Sequence, residues 1–146
     1  MTPDTIIKLE DWMKANCFNF DNYSINGNSI FEGHGIDKIG GRFIWYYTER
    51  GEKRNLEHFQ TEKEIVEFAY KAVNSDKWAK THCIGFTTDM TETRELTDRL
   101  KELKIDFIED KIPYYGLDRP VYRTFVLGCD INKVIHLKDK YYKETR

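Results

Sequence analysis

The four histidines, His34, His58, His82 and His136, are the first residues to weigh for chemistry, and they are spread widely along the chain. No H-x-x-x-H or H-E-x-x-H pair occurs, so no helix is expected to offer two imidazoles one turn apart to a metal ion, and no metal site is expected. Gly33-His34-Gly35 places His34 in a glycine-rich loop beside Glu32, where imidazole and carboxylate could act as a general base. A merely exposed turn histidine between two glycines is the better explanation of the same residues. His82 and Cys83 are neighbours in an expected strand, where adjacent side chains point to opposite faces and cannot form a nucleophile pair. Gly33-His34-Gly35 lacks the spacing of G-x-G-x-x-G, and no G-x-x-x-x-G-K-[ST] occurs, so no phosphate cradle and no cofactor is expected. Cys17, Cys83 and Cys129 are odd in number and irregular in spacing, unlike a disulfide framework or a zinc ribbon, and are read as three reduced thiols. Catalytic residues are therefore not expected.

Binding chemistry is better represented. The nine tyrosines include the pairs Tyr46-Tyr47, Tyr114-Tyr115 and Tyr141-Tyr142, and in a strand one member of each pair must face away from the other. Tyrosine supplies contact area at small entropic cost and is enriched in interfaces, although amphipathic packing at a sheet edge would use it too. Asp106, Glu109, Asp110 and Asp118 surround Tyr114 and Tyr115 in an expected final hairpin, a combination suited to a basic protein partner. Glu92 and Glu95, on the outer side of the preceding helix, are the alternative acidic surface. Most of the charge on that helix is expected to be solubilising.

These residues need a scaffold, and 146 residues suit a single domain spanning 1–146. With 23 basic against 25 acidic residues the net charge is -2, so the basic excess of a nucleic-acid binder is missing and direct nucleic-acid contact is not expected. No run of about 18 apolar residues is present, and Met1-Thr2-Pro3-Asp4 does not open a secretory signal, which together point to a cytoplasmic protein with no membrane partner.

The periodicity predicts a helix capped by Thr2 and running to about Ala15, then a hairpin in which Tyr23-Ser24-Ile25 and Asn28-Ser29-Ile30-Phe31 flank Asn26-Gly27. A glycine-rich loop follows from Gly33 to Gly41. The central strand runs from about Arg42 to Thr48, and Arg50-Gly51 reverses it into a partner from about Lys53 to Phe59. Thr61-Glu62-Lys63-Glu64 has the form of a capping box before Ile65, Phe68, Ala69, Ala72 and Val73 at helical spacing. Trp78 to Thr87 reads as a strand and Thr88 to about Leu103 as a helix. Ile105 to Tyr114 and Pro120 to Leu127 read as paired strands, and Asp130 is expected to cap a final helix. Helix, four strands, helix, strand, helix, two strands, helix is an α+β order, expected as a mainly antiparallel sheet with helices on one face.

Tyr23-Ser24-Ile25-Asn26-Gly27, then Trp45-Tyr46-Tyr47-Thr48-Glu49-Arg50-Gly51, then Phe59 and Glu62 or Glu64 before an aromatic-containing helix, resembles small bacterial immunity proteins of polymorphic-toxin and contact-dependent growth inhibition systems. The similarity covers roughly Tyr23 to Tyr70 and rests on turns and aromatics. It implies an antitoxin that stays in the cytoplasm, binds a cognate secreted toxin domain and blocks its active site. Toxins of this class are commonly nucleases, an RNase acting on tRNA being one kind. A larger complex with a toxin-associated host protein is a further expectation. The rival classes are a small enzyme using His34 with Glu32, which requires a pocket with convergent polar groups, and a nucleic-acid module, which requires a basic face.

Overall fold

A computed structural model describes residues 2–144. Its elements are α1 (Ile6–Ala15), β1 (Tyr23–Ser24), β2 (Gly33–Ile39), β3 (Arg42–Glu49), β4 (Glu52–Phe59), α2 (Glu62–Asn74), β5 (Thr81–Thr87), α3 (Met90–Glu102), β6 (Phe107–Ile112), β7 (Val121–Leu127) and α4 (Ile131–Tyr141). The class is α+β, as the element order predicts. The strands, however, form two sheets instead of one, and the chain packs as two compact units, 1–80 and 81–146.

In residues 1–80 the sheet order is β1-β2-β3-β4, parallel at β1-β2 and antiparallel elsewhere. Phe43 and Trp45 alternate onto one face of β3 and pack with Ile36 of β2, Leu9 and Met13 of α1, and Ile65, Val66, Ala69 and Val73 of α2. Ile44 and Tyr46, on the opposite face, are buried as well. α2 starts where the sequence places it, with the Thr61 hydroxyl accepting from the Glu64 amide at 3.2 Å. α1 starts later than expected, because Thr5 and not Thr2 accepts from the Lys8 amide at 3.2 Å. Arg50 and Gly51 both have positive φ, the backbone of a two-residue turn that matches strand twist, so the predicted β3–β4 hairpin closes as expected.

Three further expectations in this unit fail. Asn26-Gly27 does not make a hairpin: the Asn28 side chain takes the Ile25 amide at 3.0 Å and donates to the Tyr23 carbonyl at 2.8 Å, so local side-chain bonds replace a second strand. The stretch from Gly33 is not a loop but strand β2. Gly35 is required there by proximity and not by flexibility, since a Cβ at this position would sit 2.4 Å from the Tyr46 hydroxyl. Cys17 is disulfide-bonded, which overturns its expected reduced state.

In residues 81–146 the sheet order is β5-β7-β6, antiparallel throughout. α3 packs on β5 and β7, and α4 packs on β5 and against α3, burying Leu96, Leu100, Val134 and Leu137 over Ile84, Val121 and Val126. Asp89 caps α3, its carboxylate accepting from the Thr91 amide at 2.8 Å. Asp130 makes no side-chain cap on α4 and pairs with Lys133 at 3.3 Å instead. Cys129 is disulfide-bonded while Cys83 is free, so the expectation of reduced thiols holds only for Cys83; spacing along a chain says nothing about distance in space. No helix among the described residues is long and apolar enough to cross a membrane.

Candidate functional site

The loop joining β6 to β7 lifts the predicted tyrosines to the surface. The Gly116 amide donates to the Pro113 carbonyl at 3.1 Å and the Arg119 amide to that of Gly116 at 3.2 Å, two successive tight turns that hold the loop without a strand. Tyr114 and Tyr115 lie 4.9 Å apart, and Tyr114 stands edge-on against Phe86 of β5 at 5.2 Å. The Tyr114 hydroxyl donates to Glu144 at 3.3 Å. The Arg119 guanidinium lies over the Tyr115 ring at 5.0 Å. Leu117, at the apex, is 91% exposed, and Tyr114 and Tyr115 are 47% and 38% exposed.

The acidic residues divide by role. Asp106, Glu109 and Asp118 are exposed and free to meet a partner. Asp110 is not: Arg123 of β7 grips it with two bonds, Nε to Oδ1 at 2.8 Å and Nη2 to Oδ2 at 2.5 Å, while the same guanidinium covers the Phe125 ring at 5.0 Å. That pair raises the Arg123 pKa further, chiefly through its bond to Asp110. Glu92 accepts from the Thr87 hydroxyl at 2.9 Å and pairs with Lys143, so it fastens α3 to β5 and the chain end. Glu95 accepts from the Tyr141 hydroxyl at 2.7 Å and from Lys140 at 2.9 Å, with Arg99 at 3.6 Å. Those hydrogen bonds, Tyr141's first, hold its carboxyl below the usual range, and burial raises that of Tyr141. Asp110, Glu92 and Glu95 therefore serve the fold first, where the sequence marked all three for a partner.

Glu92 and Tyr115 do come together, across a cleft of about 210 Å³ that Phe86, Thr87, Arg119 and Lys143 also line. Sequence reasoning missed Leu117, Arg119 and Lys143. Arg119 carried a usable signal, a cation four residues beyond an exposed tyrosine; Lys143 carried none.

The rival centre at His34 is a different structure from the one expected. His34 lies on β2, stacked on Trp45 at 5.5 Å and 13°, with Tyr47 at 5.0 Å and Tyr23 at 6.4 Å. Burial among these rings lowers its pKa, partly offset by Asp76. Glu32 is reached by the Tyr47 hydroxyl at 3.4 Å, and that hydroxyl also bonds Glu49 at 3.1 Å. The imidazole is thus an element of an aromatic layer, with Tyr47 bonded to the carboxylate meant to partner it. Among the described residues no group of three His, Cys, Asp or Glu side chains is arranged to hold a metal ion.

No family model, no curated protein and no solved structure matches this chain.

Proposed function

We propose that this chain is a cytoplasmic immunity protein, which binds a cognate secreted toxin domain, a nuclease such as an RNase acting on tRNA, and blocks its active site without chemistry of its own. The observation that carries the reading is the exposed Tyr114-Tyr115-Gly116-Leu117 tip. Exposing a leucine and two tyrosines in contact on one turn costs hydration free energy that a partner recovers, and aromatic anchors of this kind are where binding energy concentrates. Asp118 adds negative charge at the tip and Glu109 on the strand that leads to it, suited to steering it toward a cleft built to hold phosphates, whereas Asp106 lies at the opposite end of β6. The resemblance of residues 23–70 to immunity proteins supplies the biological setting, including assembly with a toxin-associated host protein. In a reducing cytoplasm Cys17 and Cys129 would be thiols, so toxin binding is expected to survive a thiol reductant.

The test is calorimetry with the toxin domain that this reading expects to be encoded upstream of this chain's gene, using Tyr115→Ala and Leu117→Ser. Each is expected to weaken binding by about 30-fold or more, the size of an interfacial hot spot, while leaving the melting temperature unchanged. Wild-type affinity in both variants removes the tip from the interface, and an upstream toxin that the chain neither binds nor neutralises removes the immunity reading.

A further inference from the structure

α3 and α4 enclose a second surface. Glu95, Asp98, Arg99, Glu102 and Leu103 of the α3 side and His136 and Leu137 of α4 line a groove of about 490 Å³, within the range of clefts that accept ligands. Its apolar part is Leu103, 54% exposed at the end of α3, with the buried Leu137 beneath. Its charge is one-sided for a structural reason. Arg99 is spent on Glu95 at 3.6 Å and lies toward the Tyr141 ring at 6.0 Å, and Glu95 is held by Tyr141 and Lys140. Asp98 and Glu102 make no ion pair or side-chain hydrogen bond among the described residues. They also stand at i and i+4, a like-charge pair that destabilises α3. A cation lying between them would turn that repulsion into attraction.

We infer that this groove docks a basic amphipathic helix of a protein partner, a leucine-like side chain resting on Leu103 and an arginine or lysine reaching Asp98 and Glu102. Residues on a helix recur at i, i+3, i+4 and i+7, so one partner helix can place apolar and cationic side chains together along such a groove. The inference rests on the protein-binding reading of the chain, but not on the identity of the toxin or on the Tyr115-Leu117 tip.

The experiment titrates the isotope-labelled full chain with a short synthetic helix carrying leucine and arginine at those spacings, followed by amide chemical shifts. Saturable shifts confined to residues 95–103 and 134–138 are expected. Affinity should fall about tenfold or more in an Asp98→Asn/Glu102→Gln variant and in Leu103→Ser, and a counterpart peptide with glutamate for arginine should not bind. Shifts that do not saturate, that map elsewhere, or that are equally strong in the Asp98→Asn/Glu102→Gln variant overturn the inference. Concentration-dependent self-association that protects the same amides overturns it too, by showing a second copy in the groove. Because the probe is not the toxin, failed neutralisation with intact peptide binding strikes the immunity reading alone, and toxin binding without peptide binding strikes the groove alone.

Discussion

Charge reversal at two adjacent positions of β6 separates a residue that holds the sheet from one that faces solvent. Glu109→Lys and Asp110→Lys change the net charge equally and sit side by side. They differ in what they touch: Glu109 is exposed opposite Thr124, whereas Asp110 is gripped twice by Arg123, with the two side chains only 31% and 30% exposed. Exposed ion pairs contribute roughly 0.2–1 kcal/mol, and hydrogen bonds to charged groups about 1.5–3 kcal/mol. A half-buried bidentate pair falls between these, at about 1–2 kcal/mol. Placing a lysine beside Arg123 adds repulsion of about 0.5–1 kcal/mol after solvent screening. Asp110→Lys should thus cost about 1.5–3 kcal/mol and lower the melting temperature by roughly 3–12 °C, while Glu109→Lys stays within about 0.5 kcal/mol of wild type. Thermal melts followed by circular dichroism measure both. A cycle combining Asp110→Ala with Arg123→Ala isolates the pair itself. Equal melting temperatures for the two lysine variants would refute the assignment of Asp110 to the fold.

Trp45→Ala, which removes a ring packed against His34 and Phe68 in the core of residues 1–80, should cost about 3–5 kcal/mol, read from urea denaturation; an unchanged midpoint would remove β3 as the centre of that core. His34 also predicts a pH dependence. Its folded pKa lies below the ordinary 6.5, so the unfolded chain binds the proton more readily, and the stability His34 contributes is fully present above 6.5 and lost as pH falls through the lowered value. Between about pH 7.5 and about pH 5, wild type should therefore lose more stability than His34→Phe, which keeps a stacked ring without a proton site; parallel profiles would contradict this.

What the sequence made legible was local. The Thr61 cap and the apolar spacing from Ile65 to Val73 define α2 because cap and periodicity act within a few residues, and Arg50-Gly51 sets the β3–β4 turn for the same reason. Asn26-Gly27 misled because turn chemistry states only that the chain reverses; whether two strands flank the turn depends on Asn28, whose side chain captures the backbone groups a strand would have used. Glycines 33 and 35 misled because close approach and flexibility use the same residue, and only the Tyr46 hydroxyl facing Gly35 tells them apart. The candidate surface divides along the same line. Tyr114, Tyr115 and their exposed carboxylates could be read from a hairpin pattern, but the attachment of Asp110 to Arg123, or of Glu95 to Tyr141 forty-six residues away, depends on register and helix packing that no local pattern encodes.

β3 is flanked by β2 and β4, and its residues Phe43 to Tyr46 are buried on both faces, whereas every residue of β4 from Glu52 to His58 is exposed. Amide protons of β3 can therefore meet solvent deuterium only when the sheet of residues 1–80 comes apart as a whole, while outward-facing amides of β4 exchange through fraying of one edge. The slowest-exchanging amides of Phe43 to Tyr46 thus report the free energy of opening that sheet directly, in native buffer and with no denaturant, and the gap between them and β4 measures how far an edge can loosen before its core follows.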